Sequence, residues 1–146
     1  MAFTIEAKEA LSVVVFNEAY QVRLVSDLAA AQAYYRDVLG CDVDNWGHAV
    51  RGGMRLILQQ AKQPSDVVPN QASAKRSNYP TDWEGPDLAW DTFVHVDYEQ
   101  FDLLEQQLRS NGANIIHGPI EATHSNGMTF KNIYVQDPDG YIIVFG

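Results

Sequence analysis

The sequence has few cysteines, no long hydrophobic run and, in its second half, few basic residues. Cys41 is the only cysteine among 146 residues, so the chain can form no internal disulfide bond and no cysteine-based metal cluster. No apolar run approaches the roughly 18–20 residues that a membrane-spanning helix needs. The first residues also lack the basic start and the cleavage site of a signal peptide. We therefore expect a cytoplasmic protein without a membrane partner.

The shortage of basic residues is confined to residues 81–146, which carry two basic and eleven acidic side chains. Residues 1–80 carry eight of each, so the whole net charge of −9 comes from the second part. Nucleic acid is not an expected partner, because binding phosphates needs a basic surface. The acidic part suits either a solvated surface that aids solubility or the attraction of a cationic ligand.

Two segments share one pattern, a short strand followed by a helix that ends at a glycine. They are VRLVSDLAAAQAYYRDVLG, residues 22–40, and TFVHVDYEQFDLLEQQLRSNG, residues 92–112. Apolar residues at helical spacing predict helices over about 28–39 and 99–111. Short strands follow each helix, with an Asn-Gly hairpin signal at 126–127 and a DPDG turn at 137–140. The near-equal lengths suggest an internal duplication, with each half reading strand–helix–strand–strand–strand.

Residues 62–90 separate the two halves and contain four of the six prolines, with no periodic pattern. We interpret them as a long linker, and loops of this length in compact domains are usually functional or mobile. Its aromatic residues Tyr79, Trp83 and Trp90 suggest that its end packs down near a site. The first nineteen residues are ambiguous, because IEAKEAL suits a helix and SVVVF suits a strand.

The stretches VSDLAAAQAYYRDVLG and VQDPDGYIIVFG, with the duplicated pattern, resemble the glyoxalase/bleomycin-resistance/dioxygenase (vicinal oxygen chelate) superfamily. In character the chain is similar to the metal-free, bleomycin-resistance-like members. The resemblance implies a single α+β domain over residues 1–146, built from two βαβββ modules at 20–61 and 91–146. Each module would curl its sheet into half a barrel, with the helices outside and a ligand cleft inside. It also implies a homodimer, because open sheets leave edges that a second chain can cover.

Enzymes of this superfamily usually hold a divalent metal between a His that opens the first strand of each module and a Glu near the end of the last strand. The corresponding positions here are Tyr20, Asp91 and Val144. Val144 has no donor atom, a phenol such as Tyr20 stays protonated at neutral pH, and Asp91 alone would bind a cation only weakly. The four histidines, His48, His95, His117 and His124, lack metal-ligand spacing. We therefore expect no metal ion and no other cofactor.

Strand alternation predicts which side chains face the cleft. The residues expected to bind a ligand are Tyr20, Trp46, Arg55, Gln59, Trp90, Asp91, Phe93, His95, Tyr134 and Val144. An apolar, aromatic lining with a few polar groups is typical of a small-molecule pocket. With the acidic second half, this lining suggests an aromatic ligand that could carry positive charge. The same aromatics could instead fill a narrowed, non-functional cleft.

The sequence therefore leaves three possible functions open. The favoured one is a metal-independent protein that binds a small molecule. The second is an enzyme, either a lyase, isomerase or dioxygenase with unusual metal ligands, or one that uses Asp91 and His95 for acid–base catalysis. The third is an accessory or regulatory domain with a vestigial cleft.

Overall fold

A computed structural model describes residues 13–70, 89–123 and 125–146. The first half forms β1 (Gln21–Val25), α1 (Leu28–Asp37), β2 (Asp42–Val43), β3 (His48–Arg51) and β4 (Met54–Gln60). The second half forms β5 (Thr92–Val94), α2 (Phe101–Ser110), β6 (Asn114–Thr123), β7 (Thr129–Gln136) and β8 (Ile142–Phe145). Short 3₁₀ turns cover Pro64–Asp66 and Tyr98–Gln100. The predicted pair of βαβββ modules is confirmed.

The two modules have the same topology. Their strand orders are β1-β4-β3-β2 and β5-β8-β7-β6. In each module the first strand runs parallel to the last, and the other neighbours are antiparallel. The final strand β8 therefore lies between β5 and β7, and all four of its residues are buried. This position explains why the chain segment after the DPDG turn is continuously apolar.

Local signals set the ends of both helices. The Asp27 carboxylate accepts a hydrogen bond from the N–H of Ala30 at 3.0 Å and caps the start of α1. The helix ends two residues earlier than predicted, because the N–H of Cys41 returns to the carbonyl of Tyr35 across the left-handed Gly40. The second helix begins at Phe101 rather than residue 99, because the preceding turn is 3₁₀.

One hydrophobic core lies under both helices. Val25, Leu56 and Leu58 of the first sheet join Val135, Ile143 and Phe145 of the second, together with Tyr35 and Leu39 of the first half and Phe101 and Leu108 of α2. The predicted alternation is thus confirmed in β4 and β8. The other face of each sheet points away from this core. We call these the open faces.

A buried polar bridge joins the modules. Arg23 of β1 is only 4% exposed, and its guanidinium donates to the hydroxyl of Tyr35 at 3.0 Å and to the hydroxyl of Thr92. The Tyr35 hydroxyl donates in turn to the buried carboxylate of Asp137 at 2.7 Å. Burial raises the pKa of Asp137, while the hydrogen bonds from Tyr35 and from the N–H of Tyr141 oppose that rise. A cation from one module and a carboxylate from the other are therefore linked through one phenol.

Two predictions fall partly outside the described residues. The prediction of a helix or strand in the first nineteen residues concerns residues 1–12 in part, and the predicted linker includes residues 71–88, with Tyr79 and Trp83. The Val13–Phe16 segment, for which a strand was one alternative, forms no strand and is strongly exposed. Within the described part of the chain, no helix is long and apolar enough to cross a membrane.

We expect Tyr35→Phe to lower the free energy of unfolding by about 2–4 kcal/mol, because both buried charges lose their shared partner. Urea denaturation followed by circular dichroism measures this change. Tyr34→Phe is the matched control. The Tyr34 hydroxyl donates only one long bond, 3.4 Å, to the carbonyl of Gln136, so its loss should cost less than about 1 kcal/mol. Equal losses in the two variants would show that the bridge adds nothing beyond a buried phenol.

Candidate functional site

The open face of the second module carries a cluster of apolar side chains. Tyr134, Ile142 and Val144 are buried there, and Trp90, Phe93 and Ile116 pack against them. Tyr134 of β7 pairs with Val144 of β8, and Phe93 of β5 pairs with Val144 from the other side. Strand alternation places these side chains together, as predicted, and the ring of Trp90 lies 5.7 Å from that of Phe93.

A cavity of about 500 Å³ opens at the edge of this cluster. Its lining includes Trp90, Phe93, His95, Met128, Phe130 and Asn132. Lys131 also borders it, but its ammonium is held 3.1 Å from the carboxylate of Asp102 and 5.0 Å from the ring centre of Tyr98. The Tyr98 hydroxyl donates to Glu121 at 3.1 Å, so acidic groups surround this lysine. The cavity is thus apolar and aromatic. Among the described residues, Lys131 is the one Lys or Arg in its lining, and the acidic Asp102 and Glu121 lie just outside that lining, at the rim. We call this cavity the aromatic pocket.

One polar atom inside the cluster is unsatisfied. The Tyr134 side chain is fully buried, and its hydroxyl has no hydrogen-bond partner among the described residues. Burial raises the pKa of Tyr134, so the group is a neutral donor near pH 7. An unsatisfied buried hydroxyl costs about 1–3 kcal/mol. The hydroxyl lies within the apolar cluster and not in the lining of the aromatic pocket.

Asp91 immediately precedes β5, and its carboxylate accepts hydrogen bonds from backbone N–H groups. One carboxylate oxygen accepts the N–H of Ile142 at 2.8 Å, and the other accepts the N–H of Asn70 at 2.7 Å. The N–H of Asp91 donates to the carbonyl of Ile142 at 2.9 Å. Asp91 therefore holds the start of β8 and the segment after β4 against the second sheet.

The open face of the first module is more polar. Tyr20 precedes β1, and its ring lies 5.2 Å from the ring of His48 and 5.9 Å from the guanidinium carbon of Arg55. Of the other predicted residues, Gln59 is exposed and Trp46 is 84% exposed in the β2–β3 turn. The structure therefore gathers the predicted residues into two groups, one on each module, with Trp46 outside both.

The sequence analysis did not predict His48 and Asp44 as site residues. The His48 ring Nδ1 donates to one oxygen of Asp44 at 2.7 Å, and the other oxygen accepts the N–H groups of Trp46 and His48. Partial burial acts to raise the pKa of Asp44, but these hydrogen bonds outweigh it and hold the pKa below its ordinary value. The only signal in the sequence is an Asp four residues before a His. That spacing does not predict a contact by itself, because the two side chains meet only when the chain between them forms a turn.

Gly47 makes that turn possible. Its φ is +90°, and a Cβ at this position would lie 2.2 Å from the carbonyl oxygen of Leu58. The backbone of the turn therefore approaches β4 more closely than any side chain permits. This approach brings His48 onto the open face beside Tyr20.

The residues at the superfamily's metal-ligand positions do not fit a metal ion. Val144 offers no donor, both oxygens of Asp91 already accept backbone N–H groups, and Tyr20 offers only a phenol. Among the described residues no three His, Cys, Asp or Glu side chains are grouped so that they could hold a metal. His95, predicted to share a face with Asp91, is exposed, and its ring lies 5.1 Å from that of Phe93.

Several solved structures have a fold similar to that of this chain. A glyoxalase/bleomycin resistance protein/dioxygenase from Alicyclobacillus acidocaldarius is 15% identical, with a TM-score of 0.61 over 88% of this chain and 89% of that one. The fosfomycin resistance protein FosX from Listeria monocytogenes is 11% identical, with a TM-score of 0.56 over 90% and 93% of the two chains. TioX from Micromonospora sp. ML1 is 17% identical, with a TM-score of 0.55 over 87% and 96%.

At such low identities these similarities show the fold alone. A comparison with curated proteins gives no match. A family model described as Glyoxalase/Bleomycin resistance protein/Dioxygenase superfamily matches residues 19–145. Since that match spans nearly the whole chain, the protein belongs to the glyoxalase/bleomycin resistance protein/dioxygenase superfamily.

Proposed function

We propose that this protein is a metal-independent binding protein that holds an aromatic small molecule in the aromatic pocket of its second module. The observation that carries the proposal is the pocket itself, about 500 Å³ in volume, with Trp90, Phe93 and Phe130 in its lining. Small-molecule sites are concave and mostly apolar, with few polar groups, and this pocket has that character. Two structural neighbours support a resistance-type role. FosX is named a fosfomycin resistance protein, and the Alicyclobacillus protein is named a glyoxalase/bleomycin resistance protein/dioxygenase.

The polar groups around the pocket favour a ligand with positive charge. Asp102 and Glu121 oppose the single ammonium of Lys131 at the rim. A cation over an aromatic face gains about 0.5–2 kcal/mol. Trp90 and Phe93 supply such faces in contact with each other. We therefore propose an aromatic cation as the preferred ligand.

Asp91 is not needed for this preference. Its two oxygens accept the N–H groups of Ile142 and Asn70, so it serves the backbone first. An Asp91→Asn change would remove an acceptor from one of those groups and would disturb β8 itself. The preference for a cation is therefore better tested by changing the charge of the ligand than by changing Asp91.

We expect N-methylquinolinium to bind the protein more tightly than neutral quinoline of the same shape, because only the cation gains from the ring faces and the acidic rim. Phe93→Ala should weaken N-methylquinolinium binding about five- to tenfold, the loss of one aromatic contact. Isothermal titration calorimetry measures both differences. Leu103→Ala is the matched control, because Leu103 is an exposed apolar residue on α2 away from this pocket. Binding of neither probe, or equal loss in the two variants, would contradict the proposed pocket.

We expect elemental analysis of protein purified without chelators to find zinc, nickel, iron and manganese each far below one ion per chain. The reason is the donor set at Tyr20, Asp91 and Val144, which lacks three free ligands. Asp91→Asn should leave the metal content unchanged. One ion per chain that Asp91→Asn removes would show that a metal site exists after all.

We also propose a homodimer. Val13 to Phe16 form an apolar stretch whose side chains are each at least 67% exposed, and Val22 on β1 is 60% exposed. Apolar surface of this kind is commonly covered by a second copy. Multi-angle light scattering at micromolar concentration should give twice the 16.3 kDa of one chain. Phe16→Ser together with Val14→Ser should shift the mass toward that of a monomer. A wild-type protein that runs as a monomer would refute the proposal.

A further inference from the structure

The open face of the first module carries a polar group that the aromatic pocket does not use. Tyr20 lies beside Arg55, because Gln21 pairs with Leu56 in the parallel register of β1 and β4. His48 lies on the next strand, β3, where it pairs with Ile57. The Tyr20 ring reaches across β4 and approaches both the His48 ring and the Arg55 guanidinium. A phenol just before β1, an imidazole on β3 and a guanidinium on β4 are thus brought to one place.

The guanidinium of Arg55 is half-buried and, among the described residues, forms no ion pair with a carboxylate. Its contact there is the face of the Tyr20 ring. A guanidinium presents five N–H donors in a planar fork that matches a carboxylate. An oxyanion is therefore a suitable partner for Arg55.

His48 is held in one orientation. Its Nδ1 donates to Asp44, which leaves Nε2 of the neutral ring as an acceptor. The turn does not require this ring contact, because the other oxygen of Asp44 already accepts the N–H groups of Trp46 and His48. Among the described residues Nε2 has no partner. An acceptor in this position suits a hydroxyl group that donates a hydrogen bond.

We propose that Arg55, His48 and Tyr20 form a binding site for a hydroxy acid. Arg55 takes the carboxylate, Nε2 of His48 accepts the hydroxyl, and the Tyr20 ring packs against the carbon skeleton. Asp44 is a positioning residue that fixes the tautomer of His48. The inference rests on the proposed function only in that both sites take small molecules on the open faces of the sheets.

The site can be probed with 3-hydroxybenzoate, followed through the ring nitrogen signals of His48 in long-range ¹H–¹⁵N NMR spectra. We expect a saturable shift of these signals, and a much weaker effect from 3-hydroxybenzamide, which lacks the negative charge. Arg55→Gln should weaken 3-hydroxybenzoate at least about tenfold, because a charge-assisted, two-pronged hydrogen bond is lost. It should leave the amide unaffected.

Arg51→Gln is the matched control. Arg51 lies on the same hairpin, but its guanidinium donates to the carbonyl of Leu39 and to Gln107. Its replacement should change the affinity by less than about twofold. Thermal unfolding of both variants checks that each remains folded.

The role of the hydroxyl is tested with benzoate. Isothermal titration calorimetry should show that wild-type protein binds 3-hydroxybenzoate more tightly than benzoate, and that His48→Phe, which keeps the ring contact with Tyr20, abolishes the difference. Asp44→Asn should alter the ¹⁵N shifts that report a proton on Nδ1 and should reduce the same difference.

The proposal is overturned if the acid and the amide bind alike, if 3-hydroxybenzoate gives no saturable shift, or if Arg51→Gln weakens it as much as Arg55→Gln. Because the readout is the His48 ring, the result does not depend on whether N-methylquinolinium binds near Phe93. Failure of the aromatic pocket and failure of the hydroxy-acid site are therefore distinguishable.

Discussion

The buried bridge from Arg23 through Tyr35 to Asp137 determines how the two halves of this protein meet. A guanidinium and a carboxylate are costly to remove from water, and each is tolerated here because the same phenol satisfies both. The first module contributes Arg23 and Tyr35 to the bridge, and the second contributes Thr92 and Asp137. A slip of one module against the other would break the bonds from Tyr35 to Asp137 and from Arg23 to Thr92. The bridge therefore favours this arrangement over others that a purely apolar interface would allow.

Around this junction the two modules share one topology but differ in the chemistry of their open faces. Both modules keep the same strand order, and both place apolar residues on the helix side. On the open side, the second module presents an aromatic cluster around Val144, while the first presents Tyr20, His48 and Arg55. The helix-side residues are constrained by the shared core. The open-side residues are free of that constraint, and they are the ones that differ in chemistry.

The positions that carry metal ligands in enzymes of the superfamily now serve other purposes. Val144 belongs to the apolar cluster, and Asp91 holds the start of β8 and the segment at Asn70 through two backbone hydrogen bonds. A carboxylate that accepts two backbone N–H groups stabilises the fold through those hydrogen bonds. The distinctive side chains of the two open faces are therefore aromatic rings, one arginine and one oriented histidine.

The amino-acid sequence by itself determined what depends on near neighbours along the chain. Asp27 caps α1, Gly40 ends it, the DPDG turn closes onto β8, and alternation assigns Leu56 and Ile143 to the core, so these features were predictable. Only the tertiary structure decided that Arg23 is linked to Asp137 through Tyr35, that Asp91 accepts the N–H groups of Ile142 and Asn70, and that His48 lies against Tyr20. These partners lie far apart in sequence or depend on a turn such as that at Gly47. No periodic pattern records them, because hydrogen bonds between distant segments are selected by packing geometry and not by local conformational preference.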